Sequence, residues 1–177
     1  MPFHRSSRTS DCLARLADRR HFPSVNWFKS YSLYFEPLRA WYEKNVGPDF
    51  AENRDEALAL LQREAELLEI VQLVGSEALP PAERLVLETA KMVREDFLQQ
   101  NAYHEVDTYC SLTKQYRMLS AILAFREKAS VALEAGKRIE DVLAAPVVED
   151  IAKMKYTPDA EFPKLFAGIE KKLGELS

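Results

Sequence analysis

Residues 49–98 read DFAENRDEALALLQREAELLEIVQLVGSEALPPAERLVLETAKMVREDFL, and this stretch decides the fold. Phe50, Ala57, Leu61, Ala65, Leu68 and Val71 recur at helical spacing, and a second set, Leu60, Leu67, Ile70 and Val74, widens the same face. Asp49, behind Pro48, stands where a helix cap is needed, and Gly75 stands where a helix stops. A helix apolar over so much of its circumference predicts neighbours on both sides. Pro80 and Pro81 then open a second helix, since first-turn N–H groups have no intrahelical acceptor to lose, and Leu85, Val86, Ala90, Val93 and Phe97 form its apolar face. The short link between the two predicts an antiparallel helical hairpin.

Downstream, an irregular stretch over 99–107 leads into a third long helix from near 108 to 136, with Leu112, Tyr116, Leu119, Leu123 and Phe125 in its buried stripe. Short helices are expected at 139–144 and 147–153, and a last amphipathic helix from Asp159. No alternation of apolar and polar residues marks a strand. Upstream, Phe22, Trp27, Phe28, Tyr31, Tyr34, Phe35, Trp41 and Tyr42 crowd a segment containing proline and serine, which reads as non-helical. The predicted fold is all-α, a bundle of five to seven helices preceded by an irregular aromatic-rich arm.

The 177 residues suffice for a buried core, and 24 basic against 28 acidic residues give a net charge of −4, the opposite of a nucleic-acid-binding surface. Basic residues gather in the first twenty positions, whereas acids dominate from Asp49 to Glu95. No run approaches the roughly eighteen apolar residues of a membrane span, and the start MPFHRSSR lacks the apolar core of a secretory signal. Cys12 and Cys110 are too far apart in sequence for a Cys-x-x-Cys motif and too few for a disulfide framework.

Motifs that carry chemistry are scarce. Neither a phosphate-binding Gly-x-x-x-x-Gly-Lys loop nor Gly-x-Gly-x-x-Gly occurs among the five glycines. His104, Glu105, Asp107 and Cys110 do not follow metal-ligand spacing, and Glu64, Glu66, Glu69, Glu95 and Asp96 read as solvated helix faces. No catalytic or metal-binding residue is assigned. The aromatic crowd can form a flat slot or fill a core. Gln99, Gln100, Asn101, Ala102 and Tyr103 can read a base edge or merely end the helix that carries Phe97.

Four blocks extend this reading. RRHFPSVNW at 19–27, followed by Ser30, Tyr31 and Ser32, then LEIVQLVG at 68–75, REDFLQQNAY at 94–103 and HEVDTYC at 104–110, resemble, in order and spacing, the catalytic A subunit of V-type and A-type rotary ATPases. The resemblance covers about residues 16 to 177. It implies a tail end of the nucleotide-binding domain at 16–48 and a C-terminal helical bundle at 49–177. Residues 1–15 do not look like the family and are expected to be a disordered, non-family leader from a truncated or frame-shifted reading frame.

By the same resemblance, the phosphate loop, the catalytic acid and the metal-coordinating positions lie upstream, so the chain alone is expected to be inactive and to hold no cofactor. ATP or ADP with Mg would bind only in the full-length protein, whose complex couples nucleotide chemistry to proton or sodium transport. Phe22, Phe97, Gln99, Gln100, Asn101, Ala102 and Tyr103 would supply part of an adenine pocket by stacking and amide contacts. Glu77, Leu79, Pro80 and Glu83 match the position of the D-E-L-S-E-E-D hairpin of the F-type β subunit, with Ala78 and Ala82 where two acids would stand. They would meet the rotor with their side chains turned outward. Implied partners are the B subunits of the ring and the central-stalk subunits, with no nucleic acid and no direct membrane insertion. The implied place is cytoplasmic, peripheral to the membrane. Two rival readings are a free-standing helical interaction module and a small enzyme built on Glu95, Asp96 and His104.

Overall fold

The computed structural model describes residues 34–176. Helix α1 spans Phe35–Asn45, α2 Phe50–Val74, α3 Pro81–Met92, α4 Leu112–Glu134, α5 Ile139–Leu143, α6 Pro146–Lys153 and α7 Phe162–Leu176. A 3₁₀ turn, Ser76–Ala78, links α2 to α3, a π-helical segment, Val93–Leu98, continues α3, and a second 3₁₀ turn, Met154–Tyr156, follows α6. Among the described residues there is no strand.

Helix α1 corrects one expectation, because its residues read as an irregular arm in the sequence. Pro37 sits in its first turn, where a missing N–H removes no hydrogen bond, and Leu38, Arg39 and Ala40 behind it are good helix formers. Phe35 and Tyr42, seven residues apart on one face, stack with centroids 6.1 Å apart, and Tyr42 stacks on Phe50 of α2 at 4.7 Å. Three rings therefore fasten α1 to the start of the hairpin.

In α2, Ala57, Leu60, Leu61 and Leu67 are buried as the periodicity requires, and Ala51, outside both apolar sets, is buried as well. The expected sandwich holds only for the first two thirds. Ala65 is exposed, Ile70 is 43 % exposed and Leu73 85 %. At 25 residues α2 runs about 37 Å, far longer than the 12-residue α3 packed on it, and its last turns stand clear of the core. Gly75 adopts φ +84 and ends the helix.

Helix α4 is the central post, packed by α3 on one side and α7 on another. Met118, Ile122, Phe125, Ala129 and Ala132 are at most 2 % exposed. It begins at Leu112 rather than near 108 because the Ser111 hydroxyl accepts from the Lys114 N–H at 3.3 Å, whereas the Thr108 hydroxyl donates to the Ala102 carbonyl at 2.8 Å, inside the preceding loop. Leu112, expected in the buried stripe, is 43 % exposed. At the other end Gly136, at φ +91, donates to the Leu133 carbonyl and Lys137 to that of Ala132, a Schellman closure. Helices α5 to α7 then bury Val142, Val147, Ile151, Met154 and Ile169 against the same core.

Candidate functional site

The π-helical segment ends on Phe97 and Leu98 and delivers the chain to the loop 99–111. Such a wide turn in an α-helix occurs often beside functional sites. Arg94 in this segment donates to Glu64 of α2 and, at 3.1 Å, to its neighbour Glu95, with the Arg94 and Glu64 side chains only 15 % and 10 % exposed. Burial pulls the guanidinium pKa down, but the hydrogen bonds to the two carboxylates outweigh it and the net shift is upward. Glu64 is thus not part of a solvated face, as its spacing implied, but an internal anchor. Glu66 and Glu69 on the same helix are exposed.

The loop itself is knitted together. The Asp107 carboxylate, on a residue 4 % exposed, accepts from the Asn101 N–H at 2.6 Å, and the Asn101 side-chain oxygen accepts from the Tyr103 N–H at 3.0 Å. His104 Nδ1 accepts from the N–H groups of Val106 and Asp107 at 3.2 and 3.3 Å, and its ring lies 4.9 Å from that of Tyr156. His104 and Asp107, which resemble stray metal ligands in the sequence, are here loop-closing acceptors.

Of the predicted adenine wall, Phe97 and Gln100 line one cavity of about 190 Å³ with Asp107, Cys110, Gln115 and Lys155. Gln99 is half-buried, Asn101 and Ala102 are exposed, and Tyr103 is 99 % exposed. Gln100 thus faces the interior of the loop while Tyr103 stands on its outside. Phe22 lies outside the described residues, as do residues 1–15. Burial pushes the Asp96 carboxyl above its ordinary value against the pull of nearby Lys155, and burial likewise raises the Cys110 thiol against the pull of Lys114. Among the described residues no cluster of three or more His, Cys, Asp or Glu is placed to hold a metal ion.

At the hairpin end Glu77 and Pro80 are exposed and Glu83 is half-buried, its carboxylate accepting from Arg63 of α2 at 3.1 Å. Leu79 departs from the expectation. It is 7 % exposed and turned inward on the extended backbone before Pro80, where burial is worth about 2 kcal/mol.

The family described as the C-terminal domain of V and A type ATP synthase matches residues 39–142, from within α1 through the hairpin, the loop and α4 to α5. The chain belongs to this family. It is 54 % identical over 162 residues to the A subunit of the A-type ATP synthase of Methanopyrus kandleri, covering 92 % of this chain and 27 % of the relative. It is 53 % identical over 168 residues to the corresponding A subunit of Methanococcus vannielii, covering 92 % and 29 %, and 52 % identical over 160 residues to the V-type ATP synthase alpha chain of Acetivibrio thermocellus, covering 90 % and 27 %. The chain therefore spans less than a third of the length of the curated relatives it matches. No helix among the described residues is long and apolar enough to cross a membrane.

The residues that sequence reading missed are lysines. Lys114 is 3 % exposed and Lys155 reaches the π-helical segment, its Nζ donating to the Glu95 carbonyl at 2.7 Å. Lys114 is a cation in the first turn of α4, against the helix dipole, but a helix read from near position 108 puts it a turn further in and hides the signal. Nothing in the sequence marks Lys155.

Proposed function

We propose that this chain is the stalk-facing module of a catalytic A subunit, transmitting displacement between the nucleotide-binding part of that protein and the rotor. The observation that supports it most is the hairpin end, where α2 outruns the core, Gly75 and a 3₁₀ turn reverse the chain, two prolines stiffen the return, and the Arg63–Glu83 pair ties the helices across the gap. A firm projection moves a neighbouring shaft, whereas a soft loop absorbs the push. Nucleotide-driven closure of the upstream part would swing the bundle as a rigid body, with B subunits and central-stalk subunits as partners, on the cytoplasmic side. The loop from Phe97 to Tyr103 would form one wall of the adenine site, completed by Phe22 and by upstream residues that hold ATP or ADP with Mg.

The experiment uses a chimeric A subunit carrying this chain as its C-terminal part, assembled with its partners. Replacing Glu77 and Glu83 together by Gln tests charge, and deleting residues 77–80 tests shape, with ATP-driven rotation as readout. Since exposed ion pairs contribute about 0.2 to 1 kcal/mol, the deletion is expected to uncouple rotation from hydrolysis and the charge swap to leave it largely intact. Full rotation after both changes would reject the hairpin as the rotor contact.

A further inference from the structure

Lys114 sits in the first turn of α4, where the helix dipole opposes a cation, and it is 3 % exposed, where an ammonium group is costly unless fully partnered. Two penalties at one residue mark a place where local rules yield to another requirement. Its partners show what that requirement is. Nζ donates to the Thr157 carbonyl at 2.6 Å and to the Lys155 carbonyl at 3.4 Å, lies 5.6 Å from the centroid of the Phe162 ring, and has the Asp159 carboxylate at 3.9 Å. One buried ammonium thus gathers the carbonyls at the end of the 3₁₀ turn Met154–Tyr156, which has no helical continuation to satisfy them.

That turn in its own right holds the candidate site from two sides. From Lys155, Nζ donates to the Glu95 carbonyl of the π-helical segment at 2.7 Å. From Tyr156, the ring packs against His104 at 4.9 Å, and His104 Nδ1 accepts the N–H of Asp107, whose carboxylate fixes the Asn101 N–H at 2.6 Å. A continuous series of contacts therefore runs from Lys114 to Glu95, two residues before Phe97, and to Asn101 in the loop, with no need for Lys114 to touch a ligand.

We infer that Lys114 is a positioning residue for the loop 97–107, acting through the 154–157 turn, and that it thereby sets the strength of nucleotide binding without contacting nucleotide. The second half of this statement rests on the proposed adenine-wall role of the loop. The first half does not.

The test separates the two. In the 177-residue chain, Lys114→Met removes the donors, and Lys114→Gln, which keeps one short donor, is made beside it so that failure of the methionine variant to fold still leaves a readable protein. Lys155→Met and Tyr156→Ala cut the two outgoing contacts one at a time, and Tyr156→Phe restores the ring. Amide exchange at Asn101 and Asp107 and the ring-current shift of His104 are read by NMR, with the amide of Phe125 as a control in the core. The expected result is exchange about tenfold faster at Asn101 and Asp107, the size of effect one lost hydrogen bond produces, with a displaced His104 signal, no change at Phe125, and recovery of the His104 signal in Tyr156→Phe. Unchanged Asn101, Asp107 and His104 in both Lys114 variants would overturn the inference. Carried into the chimeric protein, the same variants are expected to raise KM for Mg-ATP about tenfold at nearly unchanged kcat. A loosened loop with an unchanged KM would uphold the brace and reject the adenine-wall reading.

Discussion

The ring of Tyr116 on α4 occupies the space into which a side chain on Gly47 would project. A β-carbon built on Gly47 comes within 2.7 Å of Tyr116 Cε2 and closer still to Cζ and Cε1, distances no packed structure tolerates. Gly47 is buried in the turn between α1 and α2, where its N–H donates to the Tyr42 carbonyl and its carbonyl accepts from Phe50. The contact therefore sets how closely the α1–α2 corner can settle on the bundle.

Gly47→Ala is accordingly expected to cost about 1 to 3 kcal/mol, the usual toll of overpacking, and the loss should shrink when Tyr116→Leu is added. Urea denaturation of the two single variants and the double variant measures the coupling. Strictly additive losses would mean that Gly47 and Tyr116 do not share this space.

Glu64 and Arg94 predict a second asymmetry. Removing one partner of a largely buried pair leaves the other charge less well compensated, so Glu64→Gln should destabilise the chain, by less than the roughly 3 to 5 kcal/mol typical of such pairs because Glu95 still holds Arg94. Replacing both, Glu64→Leu with Arg94→Met, should recover most of the loss. Thermal unfolding of the single and double variants decides the point, and equal losses in both would show that packing around the pair, rather than the uncompensated charge, carries the effect.

How much of this was legible in the sequence varies with the kind of signal. The hairpin of α2 and α3 was, because its apolar period, Gly75 and Pro81 all act locally. Helix α1 was not, because Pro37 reads as a breaker until its place in the first turn is known. The inward turn of Leu79 and the exposure of Leu73 depend on which helices reach the hairpin end, a tertiary fact that periodicity does not hold. In the candidate site, Phe97 and Gln100 were marked by their sequence block and meet in one cavity. The contacts of Lys114 and Lys155 join segments far apart in the chain, with backbone carbonyls as acceptors, and an acceptor present at every residue leaves no pattern to read.

Asp96 predicts a dependence on pH. Its folded-state pKa is raised by burial, so the native state binds a proton more tightly than the unfolded chain. The stabilising protonation is fully present below the unfolded value, about 3.9, and is lost as pH rises through the raised folded value. At neutral pH the charged carboxylate is therefore a liability. Asp96→Asn should stabilise the chain at pH 7, by less than about 1 kcal/mol since the carboxylate is only half-buried and Lys155 offsets part of the effect. The gain should vanish below about pH 3.9. Guanidinium denaturation of both proteins at the two pH values checks it, and a gain that is independent of pH would assign the effect to something other than titration.

Leu79 provides the sharpest division between holding the hairpin end in place and presenting it to a partner. Its side chain is buried although it lies in a connection only a few residues long, beside Glu77 and Pro80, which are exposed. An inward leucine in so short a connection acts as a peg that holds the turn in place, while Glu77 and Pro80 remain available outside. Leu79→Ala should then cost about 2 kcal/mol in the isolated chain, at the low end for a buried leucine because the site lies near the surface and can relax. Glu77→Gln should change stability by less than about 0.5 kcal/mol, as expected for an exposed residue. Chemical denaturation of the two variants, with amide exchange followed at Ser76 to Leu79, reads both the global and the local effect. Faster exchange confined to the hairpin in Leu79→Ala would show that the peg stiffens the projection, as a surface that pushes on a neighbour requires. A neutral Leu79→Ala would mean that the side chain is not packed, returning Leu79 to the outer surface of the hairpin.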